Sequence, residues 1–316
     1  MAIRRSDGYV GKPPSLGTDV FAMDTGAGGS TVPGFDSGFI VDLGIARQPA
    51  GANNWYTYTR LNGTKYIRTD TNTNELNDTN AAWDSNVGWY TAINNIYQSW
   101  MWKRHAGFDV VAYTGNGVAG RQIPHNLSKT PEMIWVKTRS ITTAQNWVVG
   151  HKGLNGGTNP WEYFVNLNTD GNESDYPIWN DLAPTSTYFN LGTVLPQTNN
   201  NSETYSAFLF ASVDGISKVG SYDGSDSALT ITTGFQPRFV IIRRVGTAGG
   251  PWIVLDTTRG WASGDDQVLK INDSAAQSNN TDLGVPISTG FTLSAGSATN
   301  QDFNKAGYKY IYYSHA

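Results

Sequence analysis

A block of about one hundred residues occurs twice along the chain with its landmarks in the same order. VVAYTGNG from Val110 returns as VGSYDGSD from Val219, KTPEMIWVK from Lys129 as FQPRFVIIR from Phe235, and NWVVGHKGL from Asn146 as PWIVLDTTRG from Pro251. The spacing between copies drifts only from 109 residues (Tyr113 to Tyr222) to 102 (Phe189 to Phe291), so small loop changes separate them. A more divergent copy lies upstream: GFIVDLG from Gly38 falls where MIWVK does, NNWYTYTRL from Asn53 where NWVVGHKGL does, and KYIRTD from Lys65 where YFVNLN does. A common closing segment (YQSWMWKRHAGF from Tyr97, YSAFLFASVDGI from Tyr205, YKYIYYSHA from Tyr308) marks the end of each copy. A chain built this way folds as a series of like units. The limits are an arm over residues 1–18 and modules over 19–106, 107–215 and 216–316.

Within each module the apolar stretches are short and recur every 10 to 20 residues between Gly, Pro, Asn and Asp clusters, as strands and their turns do. Aromatic residues make up 12% of the 316 residues and charged ones only 15%, against roughly 25% charged in an average soluble protein. That balance favours strands over solvated helices. No apolar 3.6-residue period persists for three turns, so helix is expected only in short pieces such as Asn86–Asn95. The predicted class is all-β: three tandem antiparallel β-sandwich modules of jelly-roll or lectin-like type behind a short extended arm, each module large enough to close its own core. The junctions Trp102 to Val110 and Phe210 to Val219 are short, so neighbouring modules are expected in fixed orientations.

A formal charge of −4 leaves no basic footprint for nucleic acid. With no cysteine, disulfides, thiolate metal sites and thiol nucleophiles are excluded. The first residues have two arginines but no apolar core, and no stretch reaches the ~18 apolar residues of a membrane span; neither export nor membrane insertion is expected.

FDVVAYTGNGVAGRQIPHNLSKTPEMIWVK, NWVVGHKGLNGG, WNDLAPTSTYFNLGT and FLFASVDGISKVGSYDGSD resemble the repeated modules of structural proteins of marine tailed bacteriophages, labelled tail-fibre or tail proteins, whose sandwiches are similar to laminin-G and concanavalin A-like lectins. The resemblance runs from Phe108 to the C-terminus; residues 19–106 depart from it and suit a different contact. It implies a non-enzymatic virion protein, assembled in the host cytoplasm and carried on the particle surface or tail. The expected role is a tail-fibre or appendage subunit for host attachment. The alternative is a head decoration, collar or tail adaptor that touches only other virion proteins. Partners implied are other virion proteins through the arm and first module, further copies in a trimer or higher cyclic ring, and a host surface glycan.

The four histidines, His105, His125, His151 and His315, lie in separate segments without zinc spacing. No metal or cofactor is expected. Asp170, Glu173, Asp175 and Asp181 could serve a polysaccharide hydrolase, but they sit in a Gly/Asn-rich loop where solvated turn-forming acids are the rule, and no catalytic residue is assigned. Trp55, Trp147 and Trp252 occupy one place in three modules and are expected in cores. Trp161, Trp179, Asn180 and Asp181, with Trp83 as the first-module counterpart of Trp179, offer aromatic faces beside Asn/Asp acceptors, the means of holding a sugar. The competing use of Trp179 is to plug the open end of its sandwich or a contact between modules. In the arm, Pro13 and Pro14 favour an extended chain, and Arg4, Arg5 and Tyr9 are candidate virion-docking residues.

Overall fold

The computed structural model describes residues 14–140, 144–192, 196–246, 249–279, 281–296 and 301–316. Regular structure among them consists of strands and short 3-10 turns, with no α-helix. The segment read as helical, Asn86–Asn95, instead contains the strand Gly88–Trp89, because Trp89 stacks on Phe35 at 5.3 Å and donates its indole proton to Ser99 at 3.0 Å. Burial of that large ring overrides the local preference.

The first module lays down β1 (Phe21–Thr25), β2 (Phe35–Asp36), β3 (Leu43–Arg47), β4 (Tyr56–Thr59), β5 (Lys65–Arg68), β6 (Leu76–Asn77), β7 (Gly88–Trp89) and β8 (Gln98–Trp102). They form a large sheet, β1-β8-β3-β4-β5-β6, and a small one, β2-β7. The second module repeats the order with β9 (Phe108–Thr114), β10 (Arg121–Pro124), β11 (Met133–Thr138), β12 (Val148–His151), β13 (Tyr163–Asn166), β14 (Ser174–Asp175), β15 (Tyr188–Leu191) and β16 (Thr204–Phe210). Its sheets are β9-β16-β11-β12-β13-β14 and β10-β15. The third uses β17 (Ser217–Asp223), β18 (Leu229–Thr232), β19 (Phe239–Val245), β20 (Trp252–Asp256), β21 (Leu269–Lys270), β22 (Pro286–Ile287), β23 (Gly290–Leu293) and β24 (Lys309–His315). Here the large sheet stops at β17-β24-β19-β20-β21, and the small one gains a strand, β18-β23-β22. Neighbouring strands pair antiparallel throughout, with β8, β16 and β24 central in their sheets. The all-β sandwich class read from the sequence is the class of the fold.

Alternate residues of the strands inside each large sheet serve two different cores, as the period of two along a strand requires. Ile134 and Val136 of β11 face the module's own small sheet, meeting Trp179, Phe189 and Leu191. Ile242 does the same in the third module with Phe291 and Leu293, and Tyr58 and Met101 in the first with Phe35 and Trp89. The other parity, Met133 and Trp135, joins Leu43, Ile45 and Trp100 of the first module and Phe239, Ile241 and Tyr313 of the third in one cluster. The large sheets are therefore buried on both faces, and all six residues of β11 and all seven of β19 are buried. Each module closes one core with its small sheet and shares another with the remaining two.

Candidate functional site

Trp161 and Trp179 come together, though away from solvent. The 3-10 turn Pro160–Glu162, entered through Asn159 in left-handed backbone, carries Trp161. Its ring meets Trp179 edge to face at 5.8 Å, and Trp179 lies 6.5 Å from Phe189. A Cβ on Gly150 would fall 2.6 Å from Trp161 and 2.7 Å from Trp179, so the glycine in β12 makes room for both rings. Trp179 is 1% exposed and Trp161 7%. Stacking on a sugar needs an open ring face; Trp179 has none and packs at the end of its sandwich, the competing use, while Trp161 shows only a narrow edge to a neighbouring pocket. Trp83 is half-buried, stacked on Trp89 at 5.4 Å with the Arg60 guanidinium 5.5 Å from its ring centre, and bonded through its indole to the Gly63 carbonyl at 2.9 Å. Asn180 and Asp181 both adopt left-handed backbone (φ 59° and 54°). Asp181 lines an open pocket of about 310 Å³ with Asn159, Pro160, Trp161, Glu162 and Ala183. Arg4, Arg5 and Tyr9 lie outside the described residues.

Three of the four histidines serve as turn braces. Nδ1 of His105, His125 and His151 accepts the backbone N–H two residues on, from Gly107, Leu127 and Gly153 at 3.1, 3.2 and 2.9 Å. That fixes the proton on Nε2, which in His125 and His151 donates to the carbonyls of Thr185 (3.2 Å) and Tyr312 (3.4 Å). Burial pushes the His105 and His151 imidazoles down to about 3, so both are uncharged at neutral pH. Of the loop acids, Glu173 accepts the Asn155 N–H at 3.0 Å and Asp175 sits on the exposed edge strand β14. Among the described residues no three His, Asp or Glu side chains converge as a metal-ligating group.

The most elaborate polar geometry lies between modules, and it is cyclic. Trp147 donates its indole N–H to the Arg68 carbonyl of the first module at 2.7 Å, Trp252 to Asn166 of the second at 3.0 Å, and Trp55 to Lys270 of the third at 2.8 Å. Each tryptophan is positioned from within its own module, its backbone N–H bonded to Asn168 (2.9 Å), Asn272 (2.8 Å) or Asp70 (3.0 Å). A buried cation toward the end of β11, β19 or β3 follows the same direction: Lys137 donates to the Asn72 carbonyl at 3.1 Å, Arg243 to Thr169 at 2.6 Å, and Arg47 to Ser274 at 3.0 Å. Desolvation lowers Lys137 to about 8 and Arg243 to about 10, and lowers Arg47 as well. Carbonyl oxygens, joined by the faces of Trp55 and Trp252 5.3 and 5.1 Å from the two guanidinium carbons, offset part of that cost. The sequence did hold a signal for this set: LGIAR, MIWVK and FVIIR each end on a basic residue at equivalent positions.

The opposite face of each module differs from one interface to the next. Thr59, His151 and Asp256 occupy equivalent positions. Next to Thr59, Asn62 reaches Ser206 of the second module at 3.1 Å, and His151 reaches the Tyr312 carbonyl of the third. Asp256 closes the ring onto the first module, accepting from Gln98 (3.2 Å) and Trp100 (3.0 Å) while paired with its own Arg259 at 2.7 Å. The Arg259 guanidinium lies 5.6 Å from the Trp100 ring centre, so the buried charges are matched on every side, as burial demands.

No curated protein and no solved structure matches the chain. One family model, described as a domain of unknown function (DUF7483), matches residues 53–316. That span begins just before β4 and takes in all three tryptophans of the cyclic set. It leaves out β1–β3, with Arg47 and with Phe21, Leu43 and Ile45 of the shared cluster, but covers most of the chain, and the chain belongs to the DUF7483 family.

Proposed function

We propose that this protein is a non-enzymatic structural component of a tailed-phage virion, a rigid three-lobed block carried on the particle surface or tail. The observation that carries the reading is the cyclic locking of three sandwiches about one apolar cluster. Such a body presents loops of three lobes to its surroundings in a fixed relation, which suits assembly more than turnover. The resemblance of residues 108–316 to phage structural modules supplies the particle. Burial of Trp161 and Trp179 shifts the balance from display of sugar-binding faces on a tail fibre toward contacts with other virion proteins, as in a decoration, collar or adaptor. The divergent first module and the arm are the parts assigned to docking.

Cryo-electron microscopy and peptide mass spectrometry of purified particles test this. A fixed copy number with the first module against a neighbouring protein is expected; absence of the chain from intact particles sinks the reading. Incubation with host polysaccharide is expected to give no turnover. Turnover that disappears on Asp181→Asn or Asp175→Asn would replace the structural role with a hydrolase.

A further inference from the structure

The interfaces between modules are head-to-tail: each module gives its tryptophan and buried cation to one neighbour and the C-terminal end of its β5, β13 or β21 to the other. Two of the three interfaces are backed by a peptide link, over residues 103–107 and 211–216. The third, between modules three and one, is held only by non-covalent contacts. A unit that leaves such a ring can be replaced by the same unit from another chain with every contact remade.

We propose that the third module, residues 217–316, exchanges between chains, and that the face it leaves on modules one and two is a docking surface for the third module of a second copy. The occupant is specified by the contacts already present. Gln98 and Trp100 await Asp256; Arg47 awaits the carbonyls of Ser274 and Ala275; the Thr69 hydroxyl awaits Ile271 at 2.9 Å; and Asn166 awaits Trp252. Only the third module carries that set. The hinge is the 211–216 link, whose tip, Asp214 and Gly215, is exposed, with Gly215 in left-handed backbone (φ 72°). When two chains trade third modules, each gives up and regains the same bonds. Weakening the seam therefore changes how fast modules trade and leaves the balance of monomer and exchanged dimer unmoved. That balance depends on protein concentration against the effective concentration of the tethered module, on the order of millimolar for a short link.

The test mixes two fluorescently labelled populations of the full chain and follows energy transfer and light-scattering mass. Monomers should dominate at micromolar protein, with mixed dimers rising in proportion to concentration toward millimolar. Asp256→Asn, which strips the charge from the seam, should speed exchange roughly tenfold or more without moving the concentration at which dimers equal monomers. Glu75→Gln, which strips the charge from the pair with Arg139 at the interface that exchange leaves intact, should not speed it. Absence of mixed dimers at millimolar wild-type protein, even after mild denaturant is added and removed, overturns the proposal. So does equal acceleration by Glu75→Gln, which would show that exchange needs global unfolding. If Asp256→Asn does not fold, the wild-type concentration series and Glu75→Gln carry the test.

Discussion

The indole nitrogen of Trp147 lies 2.7 Å from the carbonyl oxygen of Arg68, a bond that crosses from the second module to the first and has an equivalent at each of the other two interfaces. Since the shared cluster draws on all three modules, the chain should unfold in one cooperative step. Calorimetry should give a single transition with equal calorimetric and van't Hoff enthalpies. Trp147→Phe keeps an aromatic ring but leaves the Arg68 carbonyl without its donor, and should lower stability by ~1–3 kcal/mol while the transition stays single. Three resolved transitions would mean that the modules do not depend on the shared cluster.

His151 should make the fold sensitive to acid. Its folded pKa of about 3 lies below the usual 6.5, so between these values the unfolded chain binds the proton and the folded chain does not. The contribution is full above 6.5 and is lost as pH falls toward 3, at up to ~1.4 kcal/mol per pH unit. Burial raises Asp266 to about 6, and that group runs the other way: it penalises the fold above 6, a penalty relieved toward the usual 3.8. Comparing wild type with His151→Asn at each pH cancels the Asp266 contribution. Urea titrations should show wild type the more stable at pH 7, with the gap narrowing below about 6.5. A constant gap would mean that His151 has no titration coupled to folding.

Gly150→Ala should be costly although it adds one methyl group. The new Cβ would press on both Trp161 and Trp179 at under 3 Å, and overpacking of this kind destabilises by ~1–3 kcal/mol. Loss of near-ultraviolet circular dichroism from the two indoles should accompany the lower denaturation midpoint. Unchanged stability would show that the rings can move aside.

Trp179→Ala separates core packing from ligand binding. Removing a buried tryptophan should cost ~3–5 kcal/mol, read from chemical denaturation. A platform residue for sugar would instead leave stability nearly unchanged and abolish retention on a glycan array.

Much of the fold was legible in the sequence because a repeat aligns equivalent residues without reference to space. Trp55, Trp147 and Trp252 were readable as core residues, and turn chemistry around short apolar runs was enough for a sandwich. For Trp179 the sequence carried two readings, sugar platform and plug, because a tryptophan flanked by Asn, Asp and Pro looks like an exposed loop aromatic. What buries it is a glycine, Gly150, on a strand that a linear reading does not connect to it. The Asn86–Asn95 segment misled for a related reason: its strand is imposed by Trp89 packing on Phe35, a contact with no local signature.

The sequence by itself determined the three-fold repetition, the strand content and the identity of the large apolar side chains, all properties of residue type and spacing. Only the tertiary structure decided that the large sheets face one another around a shared core and close into a ring. The acceptors that lock this ring are the backbone carbonyls of Arg68, Asn166 and Lys270, and a carbonyl is present at every residue. Which one becomes a partner depends on where the fold carries it, so no side-chain code announces the interface. Strands such as MIWVKT and FVIIRRV, apolar on both faces and carrying a buried cation toward their ends, are the one trace of the closure left in the chain.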